Sequence, residues 1–320
     1  VAITAATQLS DFSGFLNAEQ SAPIFDRARR VSAVQRLARQ IPLGASGQAI
    51  PVTTGKMSAG WVSEANPKPG SAGSKALKTM TPQKIAAIAV VSTEVVRANP
   101  GGFVTDIQPE MAEAFAGAFD RASLRDEGPD GTAGGGPFAT FIGQTTNAVE
   151  FGTGTTIYND LVAGGSLLAA AGTDLTGFAF GRRVEWEFLD VLDSTNRPIF
   201  IDTPLDQTTA ALFEANENIP ARPGRLLGRP SWMADGVAED IPGGASTTYI
   251  QGYGGDWSQA AWGVVGGISY KVSTEATVTI NGSLVSLFEN NLVAILGEAE
   301  YGFLVNDPDA FVEYTETTPV

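Results

Sequence analysis

Apolar and polar positions recur with two different periods along this chain, and the clearest stretch is helical. Between Asn99 and Asp130, Ile107, Met111, Phe115 and Phe119 recur every fourth residue, and Ala114, Ala118 and Ala122 fill the adjacent row. That spacing predicts one narrow apolar face. Glu110, Glu113, Asp120, Arg121 and Arg125 fall mostly on the other side. Pro100-Gly101-Gly102 breaks the chain ahead of this stretch, and Thr105 or Asp106 is available as a cap. Pro109 either sits in the first turn or kinks a helix that begins near Phe103. Gly128-Pro129-Asp130-Gly131 ends it. Much of what precedes it reads as extended, so this helix is expected to act as a spine.

The other elements follow in order. Residues 1 to about 24 are polar and small, with Phe12, Phe15 and Leu16 as the sizeable apolar group, the pattern of an extended arm with one anchor. Ile24 to Ile41 fits an amphipathic helix or a strand pair, closed by Ile41-Pro42-Leu43-Gly44. Gln48 to Val62 and Ser74 to Val91 predict a long hairpin. Ile50, Val52 and Thr54 alternate on one side, Ile85 to Val91 is the returning partner, and breakers from Ser63 to Gly73 form the tip. A hairpin with so little apolar content cannot form its own core. A second subunit is its natural cover.

After the spine, Gly131 to Pro137 lacks the Lys-Ser/Thr ending of a phosphate-binding loop and reads as a flexible connector. Residues 157–171 and 181–193 are predicted helices, the second with Val184, Phe188 and Leu192 as its apolar row. Arg197 to Ile201 reads as a strand, and the glycine-rich alternation from Thr247 to Tyr270 as short β elements. Leu284 to Leu304 and Ala310 to Tyr314 are long extended segments expected to return to the spine. The first and last thirds of the chain then share one domain, with residues near 145–270 inserted. The fold class is α+β.

Composition narrows the chemistry. With 320 residues, 37 glycines, 18 prolines and 43% apolar content, the chain is folded and loop-rich, with room for a large core. No apolar run approaches the length needed to cross a bilayer, so no membrane is expected. The first residues lack the basic and apolar regions of a secretory signal. Cysteine is absent, which excludes disulfides and thiolate chemistry. Histidine is absent too, which removes Ser-His-Asp catalysis and the commonest zinc ligand. No cofactor or metal site is read, though a hard-cation site built from carboxylates stays open.

The net charge of −15 argues against a nucleic-acid-binding surface over the whole molecule. Its distribution is uneven: arginines 27, 29, 30, 36 and 39 lie in one short stretch, and lysines 56, 68, 75, 78 and 84 in the next. A basic arm of this kind suits contact with an acidic neighbour. Glu185, Glu187 and Asp190 cluster on one predicted helix and could serve as acid/base carboxylates of a hydrolase. Their simpler reading is the wet face of an amphipathic helix.

This order of parts resembles the major capsid protein family of tailed bacteriophages, the Hong Kong 97 fold. Four stretches carry the resemblance: VSEANPKPG at the hairpin tip, LRDEGPDGT after the spine, VLDSTNRPIF after the second inserted helix, and SLFENNLVAILGEAEYGFLVNDPDAFV near the end. The resemblance implies an N-terminal arm at 1–46, an E-loop hairpin and its base at 47–91, and a P-domain with the spine helix at 92–144. It further implies an inserted A-domain at 145–270 and a return to the P-domain at 271–320. The implied function is structural: pentamers and hexamers of this chain assemble in the host cytoplasm into an icosahedral shell enclosing double-stranded DNA. Scaffolding, portal and decoration proteins are the implied partners. An encapsulin-like compartment shares the shell fold and is the alternative. The chain starts directly with the arm, which implies a separate scaffold or a leader already removed.

Some members of that family weld their subunits by autocatalytic isopeptide bonds. The motif positions fall on Lys68 as the amine, Asn291 as the carboxamide and Glu298 as the base. Lys75 and Lys78 are alternative donors, and Asn290 an alternative acceptor. Such chemistry needs a lysine stripped of its proton by a dry setting and a carboxylate placed to take that proton. Leu292, Val293, Ile295 and Leu296 around Asn291 and Glu298 could supply the dryness.

Overall fold

The computed structural model describes residues 8–9, 32–55, 59–64, 68, 70, 73–98, 103–128, 131–153, 156–190, 200–202, 222–239, 248–280 and 282–317. Its elements run β1 (Gln8–Leu9), α1 (Ala33–Leu37), β2 (Arg39–Gln40), β3 (Gln48–Gly55), β4 (Ser74–Met80), β5 (Gln83–Ser92), α2 (Thr93–Ala98) and α3 (Phe103–Arg125). Then come β6 (Ala148–Glu150), α4 (Ile157–Ala170), β7 (Gly177–Phe180), α5 (Glu185–Asp190), β8 (Phe200–Asp202), β9 (Arg222–Leu226) and β10 (Arg229–Met233). The chain closes with β11 (Thr248–Gly255), β12 (Ala260–Val264), β13 (Ser269–Ser273), β14 (Thr277–Ile280), β15 (Ser283–Ser286), β16 (Leu292–Val305) and β17 (Phe311–Thr317).

Two sheets organise these elements. The first runs β1-β5-β16-β12-β2, with β13 also on β16. Its axis is the 14-residue β16. That strand pairs antiparallel with β5 from Leu292↔Ser92 to Tyr301↔Gln83, and its other edge takes β13 and then β12. The spine helix α3 lies across this sheet. Phe115 and Phe119 are buried with Trp262, Tyr301 and Phe303, while Ile107 and Met111 pack with Val91 and Ile295. Gly297 leaves room for the crossing, since a β-carbon there would sit 3.1 Å from the Met111 sulfur. The second sheet runs β6-β17-β11-β7-β10-β9-β8, and α4 covers it through Leu161 and Leu168 against Phe178, Phe180 and Tyr314.

Several expectations change. Ile85 to Val91 is not the returning strand of the hairpin. That role falls to β4, paired with β3 from Gln48↔Met80 to Gly55↔Ser74, while β5 belongs to the core sheet. The spine begins at Phe103, which puts Pro109 inside it. Its buried alanines include Ala112 and Ala116, whereas Ala114 is exposed. Asp120, expected on the wet side, is fully buried. Gly131 to Pro137 is a hydrogen-bonded turn: Gly128 N donates to Thr132 O, Gly135 N to Thr132 O and Gly136 N to Asp126 O.

The final strand β17 pairs with β11 in the second sheet, with its first residue Phe311 buried in one cluster with the spine's Phe115 and Phe119, while β12 and β13 lie in the first sheet; pairing thus cuts across residue 270. In the second inserted helix Val184 and Phe188 are buried as expected, and Leu192 lies outside the described residues. Most of the arm, including Arg27, Arg29 and Arg30, also lies outside them.

Candidate assembly surfaces

The β3–β4 hairpin is a two-stranded sheet joined to the body, among the described residues, at its base. There Met80 is buried with Leu43 and Leu304, and Lys78 Nζ donates to the Asn306 carbonyl. Gly47 sits at positive φ against this base, where a β-carbon would lie 2.8 Å from the Met80 carbonyl oxygen. Away from the base the hairpin is wet. Leu77 is 72% exposed, and Trp61, beyond the end of β3, is exposed completely. Lys68 is exposed at the tip.

At the far end of β16, Asn291 turns the chain into the strand with φ 52. Its carbonyl accepts from Thr93 N at 3.0 Å and Thr93 Oγ1 at 2.8 Å, leaving the side chain exposed. Asn290 Nδ2 donates to the Ser286 carbonyl at 2.9 Å. Glu298 lies six residues along β16 from Leu292, about 20 Å at strand rise. One chain therefore does not bring Asn291 and Glu298 together. Nor is Glu298 waiting for a partner. It forms ion pairs with Lys84 and, at 3.0 Å, with Lys271. Hydrogen bonds from those two lysines hold its pKa below the usual carboxylate value. The dry setting read from its neighbours does not reach Glu298, which sits at the surface between two exposed lysines although Leu292, Val293 and Ile295 are buried.

Residue spacing carries no hint of a second arrangement, the anchor of the first helix. Asp120 on α3 accepts from Ser32 Oγ, from Ala33 N at 2.9 Å and from Val34 N at 3.3 Å. Ser32 Oγ in turn accepts from Gln35 N at 3.0 Å, so serine and aspartate jointly cap α1. Burial pushes the Asp120 pKa up to about 7, against these hydrogen bonds and the nearby Arg121 charge. At the end of the spine Arg125 grips Glu127 with two contacts of 2.8 Å and donates to the Val237 carbonyl at 3.0 Å. That joins α3 to the turn after β10.

The carboxylates considered for hydrolysis are placed differently from expectation. Glu185 is buried, not wet, and Glu187 is half-buried with its pKa raised by burial first and by Glu316 second. Among the described residues no group of three or more acidic side chains converges to hold a metal, and no helix is long and apolar enough to cross a membrane. The prominent exposed features are apolar instead: Trp61, Leu77, Trp186, Leu284 and Phe288. A body with buried carboxylates and outward aromatic groups is built for contact.

Comparison with known proteins agrees. The phage capsid family model matches residues 14–315. The probable major capsid protein gp17 of Mycobacterium phage L5 is 38% identical over 324 residues, covering 97% of this chain and 92% of its own length. Among solved structures, a chain from Gordonia phage Cozz superposes with TM-score 0.67 at 24% identity, over 90% of this chain and 87% of that one. The capsid of an empty GTA particle computed with C5 symmetry gives 0.58 at 15% identity, over 98% and 95%. The chain therefore belongs to the phage capsid family: it is a tailed-phage major capsid protein with a Hong Kong 97-like fold, and its place is in the shell of the virion.

Proposed function

We propose that this protein acts without enzymatic turnover, assembling with itself as pentamers and hexamers into a closed icosahedral shell around double-stranded DNA. The observation that carries the reading is the β3–β4 hairpin. Two strands with an exposed Trp61 and Leu77 do not stabilise themselves in water, so their apolar groups find cover on another subunit. The five-fold symmetry of the GTA particle supports the pentamer. In this reading 1–46 is the arm, 47–91 the E-loop and its base, 92–144 and 271–320 the P-domain, and 145–270 the A-domain. The net charge of −15 suits a wall that confines DNA without gripping it. Scaffolding, portal and decoration proteins would be its further partners. The test is sedimentation and electron microscopy of purified protein across a concentration series. Closed particles with five- and six-fold clusters are expected; protein that stays monomeric at every concentration, with and without scaffold, overturns the reading.

A covalent weld between Lys68 and Asn291 is part of the same proposal. Because Asn291 and Glu298 stand about 20 Å apart along one chain, the two that take part in one weld would come from different subunits. Lys68 Nζ would attack the Asn291 carboxamide carbon, forming the C–N bond as ammonia leaves. Glu298 would take the amine proton once its lysine pairs loosen. Lys78, held at the hairpin base, is a poorer donor than Lys68 at the tip. With no cysteine in the chain, a ladder of multimers on a boiled denaturing gel reports this bond. Lys68→Arg should remove the ladder and leave particles. A single band from wild-type shells would discard the weld alone.

A further inference from the structure

A cavity of about 250 Å³ opens in the body between the C-terminal half of α3, the start of β5 and the turn after the spine. Ala118 and Ala122, one helical turn apart, leave one side of it open where larger residues would fill it. Three rings form its wall: the centroids of Phe138 and Tyr301 lie 5.8 and 5.3 Å from that of Phe119. Lys84 follows Gln83, the cross-strand partner of Tyr301, so its side chain points to the opposite sheet face, where it pairs with Glu298. One charged group reaches the aromatic side. Glu127 lines the cavity at 8% exposure, and Arg125 fixes its carboxylate with two contacts of 2.8 Å. A carboxylate has about four acceptor positions, so each oxygen keeps one beyond its arginine contact.

We infer that this cavity is a binding site for a small, neutral aromatic molecule of two fused rings carrying one N–H or O–H donor. Size sets the ring count. A cavity of about 150 Å³ holds a benzene, and the further volume here admits a second fused ring but not a folded segment. The walls set the chemistry, because Phe119, Phe138 and Tyr301 offer edge-to-face and offset contacts to a flat ring. Glu127 sets the donor: a hydrogen bond to a buried carboxylate is stronger than one between neutral groups. The same pair sets the charge. Arg125 already balances Glu127, so an organic cation finds no unmatched charge there, and an anion meets the carboxylate. The occupant touches α3, β5 and the turn after the spine at once, so it stabilises the folded subunit by mass action. Binding belongs to the single subunit and is independent of the shell reading.

The probe is indole, titrated into unassembled subunits and followed by saturation-transfer NMR and by thermal melts in circular dichroism. At the ligand efficiency of small fragments its Kd should fall at about 0.1–1 mM. The melting temperature should climb with indole concentration. 1-Methylindole presents the same rings without the donor and should bind about tenfold more weakly. Ala118→Leu fills the cavity from the spine and should abolish saturable binding in a subunit that still melts cooperatively. Should that variant fail to fold, the ratio of the two ligands in the wild-type protein still decides. No saturation by about 10 mM indole, tenfold beyond the expected range, overturns the site. So does an unchanged indole affinity in folded Ala118→Leu. Equal affinities for indole and 1-methylindole overturn the role of Glu127 and with it the ligand class. Tighter binding of benzyltrimethylammonium than of indole does the same, since the rings would then serve a cation.

Discussion

Asp120 shows how one residue joins the arm's first described helix to the spine. Its carboxylate receives Ser32 Oγ and the first two N–H groups of α1, all out of contact with water. Asp120→Ala strands these donors in a dry site, and the expected loss is about 3 kcal/mol or more, read from denaturant melts of the unassembled subunit. Protonation should matter as well. The folded pKa lies near 7, above the ordinary aspartate value near 3.8, so the folded state holds the proton more tightly than the unfolded one. Stability from this group is therefore fully present below pH 4, falls as pH rises towards 7, and levels off above it. Asp120→Asn should flatten that slope; a slope unchanged in the variant would assign it to other groups. The sequence did not show this residue's role. Ala112, Ala116 and Asp120 form one row of α3, and Ala114, Ala118 and Ala122 another. Alanine tolerates both burial and exposure, so the spacing alone could not say which row faced inward.

At the scale of elements, legibility follows locality. The spine helix, α4, the short strands from 248 onward and long β16 were readable because their signals lie within one turn or one pleat. The partner of Ile85–Val91 was not, because it lies about two hundred residues away on β16, and an apolar strand does not announce which edge it joins. Strand β17 joined the second sheet for the same reason. The Lys84–Glu298–Lys271 cluster depends on both β5 and β13 flanking β16 and was invisible until register was known. The glycines of β11 become intelligible at this scale too. A β-carbon at Gly252 would stand 2.3 Å from Phe180 Cδ1 and 2.4 Å from the Ala179 carbonyl oxygen, and one at Gly254 2.9 Å from Phe178 Cδ1. These glycines let the phenylalanine rings of β7 lie flat over the neighbouring strand. Gly252→Ala is expected to cost about 1–3 kcal/mol by overpacking, visible as a lower melting temperature of the subunit before assembly. A melting temperature equal to wild type would mean β7 and β11 slide apart without penalty.

For the whole molecule, two electrostatic effects of opposite sign act on assembly and differ in range. Each subunit carries −15, so approaching copies repel over long distances. The hairpin (residues 48–80, four lysines and one glutamate), at net +3, would attract any acidic surface of a neighbouring copy at contact distance. Salt removes the long-range effect first: the screening length falls from about 30 Å at 0.01 M to about 10 Å at 0.1 M and about 3 Å at 1 M. Assembly should therefore speed up from 0.01 to about 0.1–0.2 M sodium chloride, as repulsion between whole subunits fades, and slow towards 1 M, as the hairpin's own pairs are screened. Light scattering against salt measures both limbs. Lys75→Glu, at an exposed hairpin position, should remove the falling limb while leaving the rising one, since it changes the contact charge by two units and the subunit total only from −15 to −17. A rate that climbs without a maximum to 1 M in the wild-type protein would mean that the hairpin's lysines face no acidic surface, and that apolar contacts at Trp61 and Leu77 hold the hairpin without help from charge.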